Sequence, residues 1–153
     1  MIYECAVTDS NEITVTKDTK EPALAQTCHQ IRNEARCLWF KCNKFAIVLT
    51  NYDATLLSAW SALTGRAEVG LSASLRIVGV PDWGNLLSWM RTVWADEGTF
   101  HMEKADVMSQ EAGVIRAAQD IVVELRGSRW EKCAQMLEYF RFGIGQYDHR
   151  WLK

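Results

Sequence analysis

Apolar and polar positions along the chain switch between two periods. Residues 12–17 alternate and are β-branched, with Ile13 and Val15 against Thr14 and Thr16, which predicts a half-buried strand after the Asp9-Ser10-Asn11 turn signal. From Pro22 the spacing becomes helical. Leu24, Cys28, Ile31, Ala35, Leu38 and Cys42 recur at intervals of four, three, four, three and four, and Trp39 widens the stripe. One helix over 22–42 follows, with Pro22 in its first turn and Asn43 ending it. Residues 44–50 are almost continuously apolar, which predicts a strand buried on both faces.

The alternation continues. Asn51-Tyr52-Asp53 reads as a cap for a helix reaching Leu63, with Leu56, Leu57, Trp60 and Leu63 on one side. Residues 74–80 read as a third strand, ended by Pro81. Asp82 caps a helix whose inner face is Trp83, Leu87, Met90 and Trp94, flanked by Leu86, Trp89 and Val93. Residues 103–126 carry Ala105, Met108, Ala112, Ile115, Val122 and Leu125 in one stripe, interrupted by Gln119. Ser128 caps a last helix with Trp130, Cys133, Leu137 and Phe140 inward, stopped at Gly143 and Gly145. The expected fold class is α+β: a helix-rich single domain over 1–153 with a small three-stranded sheet. Residues 9–80 alternate strand and helix, and 82–145 are helical. Helical connections make the sheet parallel or mixed.

Composition narrows the functional classes. The chain has 153 residues, 48% hydrophobic and 24% charged, enough to bury about two-thirds of its unfolded surface. Residues 1–76 carry eight basic and eight acidic groups, and residues 77–153 carry nine and eleven. No basic footprint accompanies Trp39, Phe40, Lys41 and Lys44, so nucleic acid is not the expected partner. No apolar run approaches the ~20 residues of a membrane span, and no basic-then-apolar leader is visible. Five cysteines, an odd number, read as reduced core thiols. An intracellular protein, cytoplasmic or nuclear, is expected.

Candidate chemistry is thin. Cys28, Cys37 and Cys42 are soft ligands close in sequence, but Cys28 and Cys42 lie roughly 21 Å apart along one helix, so no single ion reaches both. His29 follows Cys28 directly, and helical neighbours point about 100° apart, which is wrong for a thiol–imidazole pair. Gly143-Ile144-Gly145 follows a helix rather than opening one, so it is no phosphate loop. Asp96-Glu97 and Glu103 with Asp106 suit a helix start. No catalytic, cofactor-binding or metal-ligating residue is predicted, and the chain reads as a non-enzyme. The alternative is a small hydrolase or transferase in which His29, His101 or His149 meets a thiol or carboxylate. The seven tryptophans divide. Trp39, Trp60, Trp83, Trp94 and Trp130 fall on core faces. Trp89 sits at a stripe edge and Trp151 beyond the last helix, so these two are expected as interface anchors. Ile2 and Tyr3 join them as an apolar start with nothing to cover it.

One stretch carries a family resemblance. Pro22-Ala23-Leu24-Ala25-Gln26-Thr27-Cys28-His29-Gln30-Ile31-Arg32-Asn33-Glu34-Ala35, then Trp39-Phe40, then Asn43-Lys44-Phe45, resembles the P-A-L-L-x-x-C-R-Q-I-R-x-E-A pattern, aromatic pair and N-x-F of fungal F-box-like proteins. His29 stands where that pattern has Arg. Ile2-Tyr3-Glu4 resembles the end of the family's N-terminal F-box-like element, so residues 1–8 are expected to be its remnant, with the helix carrying L-P-x-E-L absent. The resemblance implies a protein-interaction domain, a substrate-adaptor fragment, that binds a protein partner. It implies docking on a ubiquitin-ligase adaptor only where the N-terminal helix is present. Within the motif, Cys28, Ile31 and Ala35 are expected to pack inward, and Arg32 and Glu34 to order neighbouring loops.

Overall fold

The computed structural model describes residues 7–9, 11–65, 73–95 and 110–153. Three strands, β1 (Ile13–Val15), β2 (Phe45–Thr50) and β3 (Ala73–Val78), form a parallel sheet in the order β1-β2-β3. Ile13 pairs with Phe45, Thr14 with Ala46 and Val15 with Ile47. The helices are α1 (His29–Cys42), α2 (Thr55–Gly65), α3 (Trp83–Trp94), α4 (Gln110–Glu124) and α5 (Trp130–Gly145), with 3₁₀ turns at Ala23–Gln26 and His149–Leu152. The α+β class stands as the hydrophobic pattern predicts. The chain nonetheless divides into two compact units, Met1–Val48 with Ala59–Arg76, and Leu49–Ser58 with Ile77–Lys153.

The first unit is built on rings. Trp39 and Phe40 of α1, Phe45 of β2 and Trp60 of α2 are all buried, with centroids 4.9–6.0 Å apart in tilted or edge-on pairs. Beyond its buried area, each such pair contributes about 0.5–1.5 kcal/mol. Asn43, which ends α1, is buried as well. Its Nδ2 donates to Trp39 O (2.8 Å) and Val7 O (2.7 Å), and its Oδ1 accepts from Asp9 N (2.6 Å). One amide side chain thus closes a helix and pins the segment before β1.

The predicted 22–42 helix is broken in two. The 3₁₀ turn ends at Thr27, whose Oγ1 donates to Leu24 O at 2.7 Å, and Cys28 is extended (φ −72°, ψ 163°) as the N-cap of α1. Arg32 Nε donates to Ala25 O at 2.8 Å, satisfying a carbonyl the break releases, which is the loop-ordering role expected of it. The break overturns the thiol stripe: Cys28 and Cys42 are exposed and Cys37 half-buried, while Cys133 is buried. Ala35, Trp39 and Phe40 are the buried face of α1, and Ile31 is half-buried. The two large rings bury the most area and so set the helix's rotation.

In the second unit, α3, α4 and α5 pack pairwise on one another, and the His149–Leu152 turn packs on α5. Asp82 caps α3 by accepting from Asn85 N at 2.9 Å. Leu86, Met90, Val93, Ile115, Val122, Cys133 and Leu137 are fully buried. Gly143 and Gly145 do not stop α5, which runs through both. A Cβ at Gly145 would displace the Leu152 side chain that packs there.

Candidate functional site

The structure moves the predicted interface anchors inside. Trp89 is 2% exposed and Trp151 is 3% exposed. Trp89 is expected at a stripe edge from the phase of its own helix, but the buried stripe of α3 is Trp83, Leu86, Trp89, Met90 and Val93, one face rotated from the expected one, which leaves Leu87 and Trp94 half-buried. Trp151 lies on the 3₁₀ turn, outside any regular helix. Its ring packs edge-on against Tyr52 (4.9 Å) and Trp83 (6.3 Å). Polar groups hold it there: Arg141 Nε donates to Trp151 O at 2.8 Å, its guanidinium lies 5.6 Å over the Trp83 ring, and Trp83 Nε1 donates to Glu138 Oε1 at 2.6 Å. Ile2 and Tyr3, with residues 1–6 of the expected remnant element over 1–8, lie outside the described residues, as does His101.

Titratable groups in this region are perturbed for simple reasons. Burial, reinforced by the Glu111 carboxylate, pushes the Tyr52 hydroxyl far above its ordinary value, and that hydroxyl is buried with no hydrogen-bond partner. Arg150 bonds Asp148 through side chain and backbone and holds its carboxyl below the usual carboxylate range. Burial raises the Cys133 thiol, which is the opposite of an activated nucleophile. Among the described residues, no three His, Cys, Asp or Glu side chains come together as a metal site.

What stands out at the surface is a face that the sequence reading left unassigned. Met136, Tyr139 and Phe142 follow one another at intervals of three along α5, so they share the side opposite Cys133 and Leu137. Tyr139 and Phe142 are each 61% exposed and Met136 is 43% exposed. The neighbouring Gln135 Nε2 donates to the Tyr139 hydroxyl at 3.2 Å, holding that ring along the helix. Tyr147, just past the helix, is exposed too. Helix α5 is therefore apolar on both sides, and no described residue covers the outer one. The signal was present in the spacing, but the inner stripe of the same helix masked it.

Among the described residues no helix is long and apolar enough to cross a membrane. Comparison with protein families, with curated proteins and with solved structures finds no match.

Proposed function

We propose that this chain is an intracellular, non-enzymatic protein-interaction domain that engages a protein partner through the outer face of α5. One observation carries the reading: a helix already anchored by Cys133 and Leu137 presents a second apolar face, Met136-Tyr139-Phe142, to solvent. Aromatic side chains and Met are the types enriched at protein interfaces, and rings held on a helix lose little conformational freedom on binding. The likeness of residues 22–45 to fungal F-box-like proteins supports a substrate-adaptor role, with a ubiquitin-ligase adaptor recruited where an N-terminal F-box helix accompanies the domain.

The test compares the wild-type chain with Tyr139→Glu/Phe142→Glu, whose substitutions are on the solvent side and leave the core intact. A photo-crosslinker at Met136 is expected to capture one recurrent protein, and the double variant is expected to lose it with an unchanged circular dichroism spectrum. Equal capture by wild type and variant overturns the reading. So does a concentration-dependent dimer of the purified chain that the variant abolishes, since the face would then be occupied by a second copy.

A further inference from the structure

A polar cleft in the second unit has a chemistry that the interaction surface does not use. Its volume is about 360 Å³, at the small end of the ~300–1,000 Å³ typical of small-molecule sites. It lies past the carboxyl ends of β2 and β3, where α2 and α3 begin. Asp53, Thr55 and Ser58 line it from the α2 side, and Asn85, Ser88 and Thr92 from the α3 side, with Ala54 and Trp89 as an apolar wall.

The rim is tied down before any ligand arrives. Asn51 and Tyr52 both sit in the left-handed region (φ 51° and 65°), which non-glycine residues adopt at a cost. The conformation is held from three sides: Asn51 N donates to Val78 O (2.9 Å), Asn51 Oδ1 accepts from Val80 N (2.9 Å), and Asn85 Nδ2 donates to Asn51 O (3.0 Å). Gly79 (φ 92°) is required beside it, because a Cβ would run into the Asn51 side chain. Asp53 Oδ1 accepts from both the amide and the hydroxyl of Thr55 (2.9 and 2.5 Å). The bond to Asn51 O takes one of the two Nδ2 hydrogens of Asn85 and leaves the other as a donor and Oδ1 as an acceptor.

The remaining polar capacity defines the ligand. Ser58 and Ser88 hydroxyls, on α2 and α3, are not engaged by any hydrogen bond among the described residues, and Thr92 Oγ1 donates to Trp89 O (2.8 Å) while keeping acceptor capacity. Among the described residues no Lys, Arg or His lines the cleft, so an anion would find no counter-charge among them. Among the described lining residues the carboxylate is Asp53, engaged on Oδ1 by Thr55, and the Trp89 ring is buried rather than presented as a face for a cation. Hydroxyl groups that both donate and accept, arranged around an apolar patch, are complementary to a ligand built the same way. We propose that this cleft binds a neutral polyhydroxylated small molecule of monosaccharide size.

The test is amide and indole chemical-shift titration of the full chain with myo-inositol, glucose and xylitol, and separately with inorganic phosphate and ethylammonium. At least one polyol is expected to give saturable shifts at Ser58, Ser88, Thr92 and the Trp89 indole. The same polyol should bind about tenfold more weakly to Ser58→Ala/Ser88→Ala, the loss of one or two hydrogen bonds. Ser88→Leu, which fills the opening, should abolish the shifts while the remaining spectrum keeps its dispersion. No saturable response to any polyol, a response indifferent to both variants, or a response to phosphate or ethylammonium alone overturns the proposal.

Discussion

The two units hold their aromatic side chains in different ways. In the first, Trp39, Phe40, Phe45 and Trp60 meet ring against ring, and all four come from neighbouring elements of the chain. In the second, Tyr52, Trp83 and Trp151 come from three separated elements and are fastened by Glu138 and Arg141. The first arrangement depends on shape and burial. The second depends on placing a carboxylate and a guanidinium against ring edges, faces and a backbone carbonyl. Packing of the first kind follows from a short-range apolar pattern, whereas the second kind requires residues whose charge would ordinarily assign them to the surface.

Breaking each cluster should show the difference. The largest effect is expected from Trp60→Ala, which empties the centre of the ring cluster: about 3–5 kcal/mol, the usual range for removing a buried aromatic, read as a lowered urea midpoint at unchanged slope. A loss below about 1 kcal/mol would mean that the rings merely coexist. Glu138→Ala should cost about 1–2 kcal/mol, because it strips the acceptor from a buried Trp83 indole while Glu138 itself is partly solvated. In the Glu138→Ala background, Trp83→Phe should cost less than in wild type, a coupling that a double-mutant cycle reads directly.

The smallest effect at neutral pH is expected from Tyr52→Phe. Its hydroxyl is buried without a partner, so stability should change by less than about 1 kcal/mol, toward the variant. The difference grows in alkali. Burial keeps the folded-state hydroxyl protonated above its ordinary pKa of 10.0. The unfolded chain therefore gives up its proton first, and the wild type loses stability as pH rises beyond 10 toward the folded value. Tyr52→Phe should flatten that decline between pH 9 and 11. Equal slopes would place the hydroxyl in water.

These contrasts explain how much could be read in advance. The three strands were legible because β-branched alternation and one continuous apolar run are local, and β2 is buried along nearly its whole length. Asn43 was legible as a helix terminator, but not as a buried staple to Val7 and Asp9, since nothing in a local pattern encodes a partner 34–36 residues away. Trp89 was misread because the crowded apolar positions of α3 admit two stripe phases, and the buried one runs through Leu86, Trp89, Met90 and Val93 rather than Leu87, Met90 and Trp94. Trp151 was misread because a 3₁₀ tail has no period to read. The outer stripe of α5 was there at intervals of three, yet an amphipathic reading accepts the first apolar face it finds. The cleft past β2 and β3 was invisible, because it needs Ser58 and Ser88 brought face to face by two helices. Local spacing registers neither.

The parallel register of β1 and β2 has a consequence for how the chain comes into being. Ile13 and Phe45 are partners about thirty residues apart, and closing a loop of that length precedes any reward from strand pairing. No hairpin seeds this sheet. During synthesis Phe45-Ala46-Ile47-Val48-Leu49 leaves the ribosome before β3 has been made. This run contains neither charge nor proline, the composition that chaperones shield and that aggregates when unshielded. Trp39 and Phe40, made just ahead of it, are its first available cover, so the ring cluster serves the nascent chain as a guard before it serves the folded one as a core.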